Sequence, residues 1–140
     1  MIRPIRLPGL LLVVAFLLAT TTAHAGKPRV LLLGDSNFFG SFGHRIADGL
    51  RAAGYDVKLR AKPGSGLAFP RFYDWEVLAP GLAARYDADA VIIMNNHPAL
   101  AELPIRRLLK ESKKGVLFFD TWSLYSREEV EKVPGAVYRN

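Results

Sequence analysis

Arg29-Val30-Leu31-Leu32-Leu33-Gly34-Asp35-Ser36-Asn37 is the stretch on which the fold turns. Four consecutive apolar residues that include a β-branched one, closed by a glycine and two short polar side chains, predict a buried strand Arg29 to Leu33 running into a tight turn. A strand that is apolar on both faces belongs in a parallel sheet covered by helices on each side. In such sheets ligands gather beyond the carboxyl ends of the strands. The turn therefore sets Ser36, a hydroxyl nucleophile candidate, where chemistry is expected.

Working outward, the rest of the chain repeats the alternation of apolar runs with amphipathic stretches. Phe42, Ile46, Leu50 and Ala53 recur at helical spacing, and Gly54 stands where a helix stop is expected. Val57 to Arg60 is a weaker strand. Lys62-Pro63-Gly64-Ser65-Gly66 is a loop by composition, and an aromatic-rich segment from Phe69 to Trp75 follows it. The next helix is predicted from Glu76 to Arg85, with Pro80-Gly81 as the point where it could break. Ala88 to Met94 is the clearest central strand, and it ends in the polar tip Asn95-Asn96-His97-Pro98.

Pro104 suits the first turn of a helix reaching about Ser112, with Ile105, Leu108 and Leu109 as its apolar stripe. Val116 to Phe119 forms a fourth strand ending at Asp120-Thr121-Trp122. Ser126 and Glu129 have capping-box spacing for a short helix to Lys132, and Ala136 to Tyr138 is a last strand. Right-handed crossovers of this length predict a three-layer α/β/α fold with a flavodoxin-like parallel sheet of about five strands in the order 2-1-3-4-5. Strands one and three are then neighbours, so Ser36 and the Asn95-Asn96-His97 tip share one rim, bordered by the Gly64 to Gly66 loop.

The first 25 residues are read apart from the fold. Arg3 and Arg6 make a basic region, Leu10 to Leu18 an apolar one, and Ala23-His24-Ala25 a small-residue cleavage site, which together predict a secretory signal peptide over 1–25. The apolar run falls short of the ~20 residues of a membrane span, and no second run follows, so no stable span is expected after cleavage. Removing 25 of the 140 residues leaves 115, enough for one α/β domain over 26–140. It also takes nineteen basic residues to seventeen against thirteen acidic ones, a formal charge of +4 in place of +6. Lys110, Lys113 and Lys114 form the nearest thing to a basic cluster and read as a solvated helix end, so nucleic acid is not an expected partner. With no cysteine, disulfides, thiol catalysis and thiolate metal sites are excluded. No metal or other cofactor is expected, and the expected location is the periplasm or the exterior.

The segment from Arg29 to Pro98 resembles the GDSL/SGNH hydrolase superfamily, especially its small exported bacterial members. Gly34-Asp35-Ser36 is similar to the family's first block, Gly64 to Leu67 with Phe72-Tyr73-Asp74-Trp75 to its glycine loop and following aromatics, and Asn96 to the asparagine of its third block. The resemblance implies a serine esterase in which Ser36 attacks an acyl carbonyl while its own amide, a loop amide at Gly64 and the Asn96 side chain hold the oxyanion. It also implies a small-molecule or carbohydrate ester as substrate, with Asp35, Asn37 and Gly66 lining its site. Two features depart from the pattern. Met94 and His97 stand where the family usually has glycine and aspartate, and no Asp-x-x-His block occurs through Asn140. Either His97, oriented by Asp120, serves as the base, or the site is impaired. His44, on the first helix and off its apolar stripe, reads as a solvated side chain.

The local alternatives stay open. Gly34 and Asp35 also suit a plain turn, Asn96 and Asp120 loop or helix capping, Gly64 and Gly66 flexible turns, His97 a loop cap, and the aromatics a packed lid. From Asp89 to Tyr138 the chain also resembles the carboxyl-terminal domain of UDP-glucose/GDP-mannose dehydrogenases. That second resemblance implies a binding domain without catalysis, for a carbohydrate or a nucleotide-sugar-like ligand. The chain has neither a catalytic cysteine nor a Gly-x-Gly-x-x-Gly loop after its first strand for the oxidation itself.

Overall fold

A computed structural model describes residues 26–34, 40–61, 75–94 and 98–140. The strands β1 (Arg29–Gly34), β2 (Asp56–Ala61), β3 (Ala90–Ile93), β4 (Leu117–Asp120) and β5 (Val137–Arg139) form one parallel sheet in the order β2-β1-β3-β4-β5. This is the expected 2-1-3-4-5 arrangement, with element ends displaced by a residue or two. Between the strands lie α1 (Ser41–Ala52), α2 (Trp75–Tyr86), α3 (Pro98–Ala101), α4 (Ile105–Glu111) and α5 (Arg127–Glu131).

Strand alternation divides the core into two layers. Leu31 and Leu33, Val91 and Ile93, Phe118 and Tyr138 point to one face, where Ala79 and Ala83 of α2, Ile105, Leu108 and Leu109 of α4 and Val130 of α5 cover them. Val30, Leu32, Ala90, Ile92, Leu117 and Phe119 point to the other, against Ile46, Ala47 and Leu50 of α1. All the residues of β3 and β4 are buried, which is why those runs show no polar alternation.

The helices correct or settle the sequence reading in four places. The buried stripe of α1 is Gly43, Ile46, Ala47 and Leu50, whereas Phe42 is 50% exposed and Ala53 is exposed. Steps of four residues drift by about 40° on a helix of 3.6 residues per turn, so the 42-46-50 series walks off the sheet-facing side. The helix does stop at Gly54, whose φ of +97° lies in the left-handed region that glycine enters without strain. Second, α2 runs unbroken through Pro80. Its buried Ala79, Pro80 and Ala83 compensate for the backbone hydrogen bond that proline removes.

Third, Pro98 opens the unpredicted α3, a single turn anchored by the buried Leu100. Fourth, Lys113 is no part of a solvated cluster. Its ammonium pairs with Asp89 Oδ1 at 2.9 Å, and the carboxylate is buried. At α5 the cap is as expected, with Ser126 Oγ accepting from the Glu129 amide at 3.1 Å. Among the described residues no helix is long and apolar enough to cross a membrane.

Candidate functional site

The carboxyl ends of three adjacent strands lie level with one another: Leu33 of β1 pairs with Ile93 of β3, and Ile93 with Asp120 of β4. Hydrogen bonds continue past the ladder. The Met94 amide donates to the Leu33 carbonyl at 3.4 Å, and Thr121 donates to the Ile93 carbonyl from both its amide at 3.3 Å and its hydroxyl at 2.9 Å. On the far side of β1, Gly34 pairs with Ala61, the last residue of β2.

The three segments that carry the predicted site therefore begin on the ends of three neighbouring strands. Residues 35–39 follow Gly34, residues 62–74 follow Ala61, and residues 95–97 follow Met94. The candidate residues themselves, Asp35, Ser36, Asn37, Gly64, Gly66, Asn96 and His97, lie outside the described residues. His44 lies within them, exposed on α1 as expected.

Asp120 is entirely buried, and the fold employs its carboxylate. Oδ1 accepts from the Trp122 amide at 3.2 Å; Oδ2 accepts from the Tyr125 amide at 2.9 Å and from the Tyr138 hydroxyl at 3.2 Å. The Tyr138 hydroxyl shares its proton with the Tyr125 carbonyl at 2.8 Å. The Tyr125 hydroxyl in turn donates to the Leu100 carbonyl of α3. Phe118 lies between the two phenol rings, edge-on to Tyr125 at 5.7 Å and stacked on Tyr138 at 5.9 Å. The turn reading of Asp120 is thus the one its contacts display.

Burial, with the Asp120 charge second, pushes the Tyr138 phenol from 10.0 up to about 12 against the opposing Arg127 charge. The same two causes in the same order raise Tyr125. Because the folded phenols hold their protons more tightly than the unfolded ones, their stabilisation is complete below pH 10 and is lost as pH rises through the folded value. We expect the urea midpoint to fall between pH 10 and about 12, and Tyr138→Phe to flatten part of that fall. An unchanged slope in the variant would remove Tyr138 from the account.

Sequence reasoning passed over Trp122. Its side chain is 56% exposed, yet Nε1 donates to the Met94 carbonyl at 3.1 Å. The legible signal was an aromatic residue two places beyond the polar end of a buried strand. Among the described residues no cluster of histidines and carboxylates could hold a metal ion.

The strand order and the polar segments leaving its carboxyl edge define an α/β protein of flavodoxin-like arrangement with a candidate site on that rim. A family described as Protein of unknown function (DUF459) matches residues 29–96, which takes in β1 through β3 and ends at Asn96. That family is associated with SGNH-like hydrolases. No curated protein matches the chain.

Proposed function

We propose that the chain is an exported serine ester hydrolase of SGNH type, in which residues 1–25 direct export and residues 26–140 form a single catalytic domain that takes a small or carbohydrate ester. One observation carries this reading: Gly34 ends β1, Met94 directly follows the end of the adjacent β3, and the Met94 amide is bonded to the Leu33 carbonyl at 3.4 Å. The segments holding Gly34-Asp35-Ser36 and Asn95-Asn96-His97 thus leave the sheet from neighbouring points.

In the proposed reaction the His97 imidazole takes the Ser36 proton as Oγ attacks the acyl carbon. The negative charge that develops on the carbonyl oxygen is met by the Ser36 amide, the Gly64 amide and the Asn96 carboxamide. The alcohol departs with the proton from the imidazolium. Water then attacks the Ser36 ester, releasing the acid and restoring the serine. Asp35, Asn37 and Gly66 border the substrate. Asp120 is left out of this proton relay, since its carboxylate already accepts from two amides and a phenol.

Hydrolysis of 4-nitrophenyl acetate by the purified protein tests the proposal. Ser36→Ala is expected to lower kcat by roughly 10³-fold or more, His97→Ala comparably, and His44→Ala not at all. Equal rates in Ser36→Ala and the parent would overturn the nucleophile. Loss on His44→Ala but not on His97→Ala would move the base to α1. A parent protein without turnover would leave the rim as a binding surface for a carbohydrate.

A further inference from the structure

We propose that Trp122 is the sugar-stacking residue of this rim, which makes the alcohol half of the substrate a pyranoside. The location of the reacting ester rests on the function proposed above; the binding does not. Exposed tryptophan rings on a folded surface usually swing between rotamers, but this one is fixed at both ends. Its amide donates to the buried Asp120 at 3.2 Å and its indole nitrogen to the Met94 carbonyl at 3.1 Å. The second bond sets the ring on the last described residue before Asn95-Asn96-His97.

The turn behind it is strained. Ser123 has a φ of +54°, a region that side-chain-bearing residues rarely adopt, and its amide returns to the Asp120 carbonyl at 3.4 Å. Strain of this kind survives only where its surroundings enforce it, and it concentrates at ligand contacts. Here its product is a half-exposed indole whose one polar atom is already satisfied.

The neighbours select the ligand. Ser123 Oγ accepts from Asn140 Nδ2 at 2.9 Å, so a hydroxyl and a carboxamide are paired at the residue that follows Trp122 in the chain, and Thr121 precedes it. Each of these groups can both donate and accept, which matches the hydroxyls around a pyranose, while the flat indole matches its C–H face. An acyl chain would find one ring and would strip water from the polar pair without replacing its hydrogen bonds.

Trp75 and Trp122 are the two tryptophans of the chain, so in Trp75→Phe the fluorescence reports Trp122 alone. The titration uses the full chain carrying Trp75→Phe and Ser36→Ala, with cellotetraose and, separately, octanoate as probes. Saturable change with cellotetraose and none with octanoate is expected. In the Ser36 parent, Trp122→Ala should raise KM for acetylated cellobiose about tenfold and leave 4-nitrophenyl acetate turnover within about twofold, with Trp122→Phe restoring most of the sugar-ester KM.

A response to octanoate alone, no response to either probe, or equal loss on both esters would overturn the assignment. Saturation by cellotetraose in a protein whose Ser36→Ala form hydrolyses esters as fast as its parent would refute the catalytic proposal and leave the platform standing.

Discussion

Asp120→Ala is expected to lower the unfolding free energy by about 3 kcal/mol, a large part of the 5–15 kcal/mol typical of a domain this size. The carboxylate is fully buried, and removing it orphans the Trp122 and Tyr125 amides, each of which now donates to a charged acceptor. Such bonds are worth about 1.5–3 kcal/mol apiece, and water admitted to the cavity returns part of that. The Tyr138 hydroxyl suffers less because the Tyr125 carbonyl, at 2.8 Å, can take its proton entirely.

A graded series follows from this geometry. Asp120→Asn keeps an acceptor for one amide and turns an NH₂ towards the other, so about 2 kcal/mol is expected. Tyr138→Phe, losing a shared bond, should cost about 1 kcal/mol or less. Urea denaturation followed by circular dichroism gives all three values. An Asp120→Ala shift below about 1 kcal/mol would mean that the turn finds other acceptors and that the carboxylate does not hold it. Placed in the Trp75→Phe background, the same variant should broaden the Trp122 fluorescence, because the residue that anchors the indole's backbone has gone.

These two residues also show where sequence reading reached and where it stopped. Strands β1, β3 and β4 announce themselves because burial on both faces removes polar residues from them, a one-dimensional signal. Their order was expected from connection length and crossover handedness, and the sheet has that order. Phe42 was misassigned because i, i+4 spacing alone ignores the drift of a real helix, and Gly43 contributes no hydrophobic signal although it faces the core. At Pro80 the pattern left open whether the helix continues, because local propensity ignores the packing of Ala79 and Ala83 on the sheet that carries it through.

The rim was legible only as a set of strand ends. Ser36, Asn96 and His97 could be assigned to segments that leave adjacent strands, since topology decides that. The turn role of Asp120 was one of its two readings, but the choice between them and its phenol partner could not be anticipated. Its partners Tyr125 and Tyr138 are five and eighteen residues away, and nothing in a sequence pattern distinguishes a carboxylate that receives two amides and a phenol from one that orients a histidine. Lys113 failed for a related reason. Three lysines within five positions look like a solvated patch until one of them is found against a buried acid.

That pair supports the second large effect, at the opposite end of the sheet. Asp89 enters β3 with its side chain between two partners: Oδ2 accepts from the Arg29 amide at 2.9 Å and Oδ1 meets Lys113 Nζ at 2.9 Å. Its backbone joins the same knot, since the Asp89 amide donates to the Arg29 carbonyl at 2.9 Å and its carbonyl accepts from the Leu117 amide at 3.0 Å. The entries of β1, β3 and β4 are thus fastened through one residue. With 7% of the Asp89 side chain and 21% of the Lys113 side chain exposed, solvent screens this pair far less than the surface bridges of α1 and α5. Lys113→Met keeps the aliphatic stem and strands the carboxylate, and about 3 kcal/mol of destabilisation is expected. Asp89→Asn in the Lys113→Met background removes the stranded charge while leaving an acceptor for the Arg29 amide, so the double variant should recover about 1–2 kcal/mol of that loss. The recovery is the discriminating measurement. A double variant no more stable than Lys113→Met would show that the lysine acts through its stem and not through its charge, and a Lys113→Met cost that vanishes in high salt would return the pair to the solvated surface.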